Sequence, residues 1–182
     1  MTFTQHTMNS QEHYTPPHII EMAREVLHDI DLDPCSSDLA NKTVKARRYY
    51  TSQVCGIKRE WTNFYGTPVS VWCNPPGSRH IKPSLPIQFW SKLCNEVAEG
   101  NISHALYLAY SLEQLQQCQK AGYPPMAQFP LCIPRRRIAF IDMDGNEQKS
   151  PTHGNVIVYI PGTLDNTDAF KRVFSELGYV KT

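Results

Sequence analysis

Val69-Ser70-Val71-Trp72-Cys73-Asn74-Pro75-Pro76-Gly77 is the stretch whose reading decides the fold. Val69 and Val71 share one face of an extended segment, and the run is too short and too β-branched to favour a helix. Neither proline has a backbone N–H to give to a sheet, so the chain must leave the sheet at Asn74. The Asn74 side chain and the carbonyls of Asn74 and Pro75 are thereby held on a stiff turn at a strand's carboxyl end. Open α/β sheets bind ligands at that end. A plain strand-ending turn accounts for the tripeptide equally well, so the neighbouring segments have to decide.

Working outward, Gly66-Thr67-Pro68 turns the chain into the strand. After the Asn-Pro-Pro turn come Arg79, His80 and Lys82 in a loop, then Ser84 as the cap of a helix. Ile87, Trp90, Leu93, Cys94 and Val97 form one stripe of that helix and Gly100 closes it. Its start lies close to the turn, which offers Phe89 or Trp90 to a ligand. Residues 105–110 read as a second buried strand. Ser111-Leu112-Glu113-Gln114 then makes a Ser-x-x-Gln capping box for a helix to about Lys120. Residues 123–130 form a proline-broken loop. Arg135-Arg136-Arg137 leads into an expected strand over Ile138-Ala139-Phe140-Ile141, with a hairpin turn at Asp144-Gly145. Residues 156–160 form a strongly apolar strand, and Phe170, Val173, Phe174 and Leu177 line a last helix stopped at Gly178.

On the amino-terminal side, residues 1–13 are polar without apolar period and read as a flexible arm. Thr15 is expected as N-cap and Pro16 as first helical residue of a helix carrying Ile19, Met22, Ala23, Val26 and Leu27. Asp31-Leu32-Asp33-Pro34-Cys35 follows as a very short strand closed by proline. Asp33 at its end either accepts hydrogen bonds from a ligand's ammonium or hydroxyls, or closes an Asx-turn. Residues 36–46 read as a polar loop containing Asn41. Arg47-Arg48-Tyr49-Tyr50 is a basic-aromatic cluster of the kind that touches phosphates and bases, or a solvated face.

Helices thus alternate with short apolar strands, and an antiparallel pair follows, which predicts one α/β domain with a mixed sheet. The chain has 182 residues, 41% apolar and 19% charged, with a formal net charge of +1. That balance argues against a strongly basic nucleic-acid coat protein but permits a local basic patch. The six cysteines, at 35, 55, 73, 94, 118 and 132, show no CxxC spacing. They read as reduced thiols in a cytosol, and no metal site is expected. No apolar run approaches the ~20 residues of a membrane span.

The sequence holds no GxGxxG and no GxxxxGK[ST], which disfavours dinucleotide and triphosphate binding. It also lacks the His-x-Glu with paired cysteines of zinc deaminases. The rigid turns at Thr15-Pro16, Asp33-Pro34 and Asn74-Pro75-Pro76 suit transfer to an exocyclic amine. Such a nitrogen is a poor nucleophile because its lone pair is delocalised into the ring. The Asn74 side-chain oxygen and the Pro75 carbonyl can hold its two hydrogens as positive charge develops, and the prolines fix that geometry in advance.

These residues carry a resemblance. From Tyr14-Thr15-Pro16 through Leu32-Asp33-Pro34-Cys35, Asn41-Lys42, Trp61 and Asn74-Pro75-Pro76 to the Phe89-Trp90 helix, Arg137-Ile138-Ala139-Phe140 and Ser150-Pro151, the chain resembles phage-type, Dam-like DNA N6-adenine methyltransferases. The resemblance implies a three-layer methyltransferase α/β sandwich with a mixed, mostly parallel sheet, using S-adenosyl-L-methionine. It assigns catalysis to Asn74, Pro75 and Pro76. It assigns cofactor contacts to Tyr14, Thr15, Pro16, Asp33, Pro34, Cys35, Asn41 and Asn74. Arg47, Arg48, Arg79, Lys82, Trp90, Arg135, Arg136 and Arg137 are expected around double-stranded DNA, with the protein a monomer or homodimer in the cytoplasm of a host cell. Two departures stand out: position 77 is Gly where the motif carries Tyr or Phe, and residues 33–38 lack the glycines of the usual cofactor loop. Cytosine N4 as the acceptor, or a DNA- or partner-binding protein that has lost transfer, are the alternatives.

Overall fold

The computed structural model describes residues 13–62, 65–77 and 81–182. In chain order these form α1 (Pro17–Leu27), β1 (Leu32–Asp33), α2 (Asp38–Val44), β2 (Arg48–Tyr49), β3 (Val69–Cys73), α3 (Leu85–Ala98), β4 (Ile102–Ala109), α4 (Glu113–Lys120), β5 (Leu131–Pro134), β6 (Val156–Pro161), α5 (Thr167–Phe174) and β7 (Gly178–Lys181). Among the described residues, seven strands make one sheet in the order β2-β1-β3-β4-β6-β5-β7. The β2-β1, β1-β3 and β3-β4 ladders are parallel. The β4-β6, β6-β5 and β5-β7 ladders are antiparallel. Following directions across the sheet, β6 and β7 alone run against the others, so the sheet is mixed and mostly parallel.

The two-residue period of the strands sorts side chains into two cores. Trp72, Leu106, Leu108, Ile157 and Tyr159 pack with α1 and α5 on one face. Val69, Val71, Cys73, Ala105, Tyr107, Val156 and Val158 pack with α3 on the other. The result is a Rossmann-like three-layer sandwich. Strands buried on both faces are near-continuously apolar, which explains why β3 reads as Val-Ser-Val-Trp-Cys and is buried along its whole length.

Several local expectations shift. The first helix starts at Pro17, with Pro16 extended at φ −59°, ψ 144° as its cap residue. Pro17 pushes the residue before it out of the helical region, and the Thr15 hydroxyl serves elsewhere. Within the expected loop 36–46, Ser37 Oγ accepts from Ala40 N at 3.1 Å and opens α2. That helix buries only Val44, so it leaves no apolar period in the sequence. The capping box at Ser111 is not formed. Ser111 Oγ accepts instead from Glu113 N at 3.2 Å, and Gln114 turns inward, its Oε1 buried without a partner.

The expected strand over 138–141 is replaced by β5, which ends four residues earlier. Prolines at 130 and 134 bracket this run, and Pro134 sits at its terminal position, where a missing donor is tolerated. Residue 141 forms only isolated bridges, to Tyr14 and to Glu147 across the Asp144-Gly145 turn. The last helix ends at Phe174 with Ser175 as its cap residue, so Leu177 lies beyond it and Gly178 opens β7 instead of stopping the helix. A Cβ at Gly178 would lie 2.0 Å from Ile133 O, so this glycine permits the β5-β7 approach.

Candidate functional site

Strand β1 sits between β2, which follows it, and β3, which returns to its other side. Connections therefore diverge at the β1-β3 pair, and in an open α/β sheet that divergence leaves a crevice at the strands' carboxyl ends. Asp33-Pro34 leaves β1 there and Asn74-Pro75-Pro76 leaves β3 beside it. The α1 segment covers the same place from one face. Tyr14 N donates to Ile141 O and Ile141 N to Tyr14 O, both at 2.9 Å, and this pins the residues ahead of α1 to the edge of the sheet.

Asn74 is oriented from that segment. Its Nδ2 donates to Thr15 Oγ1 at 3.1 Å and to His13 O at 3.4 Å. A backbone carbonyl can only accept, so the amide nitrogen faces His13. Both amide hydrogens are thus engaged, and an incoming N–H can meet the oxygen. Pro75 behind it is buried, whereas Pro76 and Gly77 are exposed. A Cβ at Gly77 would have nothing within 4 Å; packing does not require the glycine.

Asp33 is only 3% exposed. Its Oδ1 accepts from Cys35 N at 3.2 Å, the Asx-turn geometry. Burial pushes this carboxyl up to about 7, against the opposing pull of the Ser36 hydroxyl and the Cys35 N–H. Ser36 Oγ lies buried beside this carboxyl. Asp33 therefore closes a turn and, among the described residues, keeps a buried carboxyl without a cationic partner next to a buried hydroxyl, a pair that suits a cationic ligand carrying hydroxyls. Cys35 Sγ lies 3.6 Å from Cys73 Sγ, joining the two strand ends, and burial raises both thiols, that of Cys35 well above its ordinary range. Behind Pro34 stands Gly56, whose missing Cβ would fall 1.9 Å from Pro34 O; Trp61 Nε1 holds Gly56 O at 2.9 Å. This buttress is not visible in sequence, since it joins residues 22 positions apart through a bare backbone contact.

The structure brings Tyr14, Thr15, Pro16, Asp33, Pro34, Cys35, Asn74, Pro75 and Pro76 to one edge. Several other expected residues are tied up elsewhere. Asn41 Oδ1 accepts from Ala46 N at 2.8 Å and its Nδ2 donates to Ala46 O at 3.3 Å; the amide closes the turn after α2 instead of facing the crevice. Arg47 pairs with Asp29 at 2.6 Å and Asp31 at 2.9 Å, on the amino side of β1 and β2. Arg48 lies over the Tyr50 ring at 5.6 Å. Trp90 is 0% exposed, edge-on to Tyr107 and Phe129, with Nε1 donating to Pro124 O at 2.8 Å. It is a core residue with no surface left for a base.

Lys82 and Arg136 are exposed on loops at the carboxyl edge. Arg135 reaches Glu176 O and Ser175 O at 2.9 and 3.1 Å, and Arg137 reaches Pro151 O at 3.1 Å; each keeps its charge while fixing a neighbouring segment. Arg79 lies outside the described residues.

Sequence reading missed an aromatic group beside Asn74. His13 stacks on Tyr110 at 5.4 Å and 22°, and His153 meets the same ring at 4.9 Å. Phe140 completes the cluster 5.5 Å from Tyr110. Asn155, 3% exposed, donates to Tyr110 O at 2.8 Å and accepts from Ile138 N at 2.9 Å, locking β4's end to the 138–140 segment. Burial and the neighbouring His153 lower the His13 pKa. The signal lay in two places: a tyrosine ending a buried strand, and a histidine directly before Tyr14-Thr15-Pro16. His13 is thus packed, not part of an arm.

One surface cleft of about 480 Å³ lies elsewhere, lined by Lys58, Trp61, Lys92, Glu96 and Asn101 among others. It opens near the amino end of β4, where Lys92 and Asn101 both bond to Glu96. No helix among the described residues is long and apolar enough to cross a membrane. Compared with known proteins, the chain matches no family model and no curated protein.

Proposed function

We propose that this protein is an S-adenosyl-L-methionine-dependent methyltransferase acting on an exocyclic amine of a base in double-stranded DNA, with adenine N6 as the acceptor. The observation that carries the reading is the meeting of Thr15, Asp33 and Asn74 at the β1-β3 switch point. Many folds share this layer design, so function rests on that site and not on the sandwich.

Asp33 and Ser36 fit the cofactor. A buried carboxylate that has no cationic partner among the described residues is satisfied by a ligand's ammonium, and the Ser36 hydroxyl beside it can bond ribose hydroxyls. When bound, that ligand supplies an electrophilic methyl group. Asn74 and Pro75 act on the acceptor. As the amine nitrogen takes up the methyl, its lone pair leaves the ring, the electrons of the broken methyl–sulfur bond stay on sulfur, and positive charge grows on the N–H bonds until one proton passes to water. The Asn74 oxygen and the Pro75 carbonyl would accept hydrogen bonds from those N–H groups, and the favourable interaction is greatest at the transition state. Thr15 and the His13 carbonyl hold the Asn74 amide in place, so little reorganisation accompanies the reaction. Lys82, Arg135, Arg136 and Arg137 supply positive charge on the same edge for the phosphate backbone.

The same two acceptors fit cytosine N4. Exposed Gly77, where the resembled motif carries an aromatic ring, favours loss of transfer. Incubation of the full chain with tritium-labelled S-adenosyl-L-methionine and unmodified duplex DNA separates these readings. Label recovered in N6-methyladenine is the expected result. Label in N4-methylcytosine moves the acceptor, and cofactor binding without transfer to any DNA overturns the enzymatic reading.

A further inference from the structure

A base drawn out of a duplex needs an aromatic face to stack on, and position 77 supplies none. The β3-β4 register shows where one lies. Cys73 pairs with Tyr107, and the same register continued past the strand ends brings Tyr110 opposite Pro76. Even-numbered residues of both strands face α1: Trp72, Leu106 and Leu108 belong to that core, and Tyr110 packs against it. Asn74 continues this parity, and its side chain meets Thr15 and His13 on the α1 side. The Asn74 amide and the Tyr110 ring therefore project from neighbouring strand ends toward one face. His13 links them, its carbonyl on Asn74 and its imidazole on Tyr110.

The His13 ring is a planar nitrogen heterocycle lying at 22° to Tyr110 with centroids 5.4 Å apart, the offset-stacked arrangement that aromatic rings favour. We propose that Tyr110 is the stacking partner of the target base, and that the His13 imidazole occupies that ring face in the free protein and yields it to the base. This rests on the methyltransferase reading above and adds to it a base pocket assembled from β4 in place of the missing aromatic at position 77. Asn155 is its positioning residue, since it holds the Tyr110 backbone from the position just ahead of β6. His153, exposed at the ring's other contact, borders the pocket.

The test is steady-state methyl transfer to duplex genomic DNA by the full chain and its Tyr110→Leu, Tyr110→Trp and His13→Ala variants. Calorimetric binding of S-adenosyl-L-methionine to each variant reports an intact cofactor site. Tyr110→Leu keeps the apolar packing and should lower kcat/KM for DNA between about 5-fold and about 150-fold, the range of base–aromatic stacking, with cofactor affinity unchanged. Tyr110→Trp should stay within about threefold of the parent. His13→Ala leaves a backbone carbonyl for Asn74, removes the imidazole from the Tyr110 face and should lower KM for DNA, because the base no longer competes for the ring. A parent that transfers methyl to DNA and a Tyr110→Leu variant that does so equally well would overturn the stacking assignment alone. A His13→Ala loss as deep as that of Tyr110→Leu would overturn the exchange. A parent that binds cofactor and methylates no DNA overturns the underlying reading, and this pocket with it.

Discussion

Two buried carboxylates stand at opposite edges of the same sheet. Glu96, 6% exposed near the amino end of β4, pairs with Lys92 and accepts from Asn101 Nδ2 at 2.7 Å. Asp33, 3% exposed at the carboxyl end of β1, accepts from Cys35 N and, among the described residues, has no ion-pair partner. Equal burial therefore has unequal consequences. The Glu96 charge is compensated within the fold, and the residue holds α3 to the loop before β4. The Asp33 charge is not compensated, its carboxyl rises to about 7, and the deficit is one that a cationic ligand removes. A cleft of about 480 Å³ lies at the first edge, and the buried carboxyl without a cationic partner among the described residues lies at the second.

The strongest way to break this contrast is Asn74→Ala. If the carboxyl edge is built for amine activation, the variant should fold normally by circular dichroism and lose about 10²–10³-fold in kcat for methyl transfer. Transfer at the parental rate would remove Asn74 from the mechanism.

Asp33→Asn probes the uncompensated charge. Below pH 4 the carboxyl is protonated in both folded and unfolded chains. Between about 4 and 7 the unfolded chain releases this proton while the folded one retains it, so this group's contribution to stability falls as pH rises and levels off above about 7. The full span is at most about 4 kcal/mol, at 1.36 kcal/mol for each unit of pKa difference. The neutral asparagine should abolish that slope in urea melts and stabilise the protein at pH 8. Cofactor binding should weaken in the variant. In the parent it should tighten from pH 6 to pH 8, as ionised Asp33 becomes available.

Glu96→Ala tests the other edge. It removes the partner of Lys92 and Asn101 and should cost about 1–3 kcal/mol in denaturant unfolding, with kcat unchanged per folded molecule. An activity loss larger than the stability loss would show that the two edges communicate.

The smallest effect is chemical. Cys55 is exposed, whereas Cys73 is buried and burial raises the Cys35 and Cys73 thiols. Maleimide labelling at pH 7 should reach Cys55 first and leave the Cys35-Cys73 pair intact until the chain unfolds. Early modification of Cys35, read by peptide mass, would mean that the crevice opens readily.

Much of this edge is legible in the chain because its causes are local. Proline's missing donor ends β3 at Asn74, the Asp-Pro pair ends β1, and the two-residue and helical periods place α1, α3, β4 and β6. Partnership is not local. Asn41 and Arg47 look like ligand contacts until Ala46, Asp29 and Asp31 are found holding them. Trp90 looks like a base platform until Tyr107 and Phe129 enclose it. Tyr110 carries no sequence signal beyond ending a strand, yet His13 and His153, from distant parts of the chain, surround it. The ends of β1 and β3 follow from proline sterics within a few residues, so the amino-acid sequence alone determined them. Which polar group is compensated, and which aromatic ring lies beside Asn74, depends on strand order and on contacts between distant parts of the chain, such as His13 with Tyr110; these the tertiary structure decided.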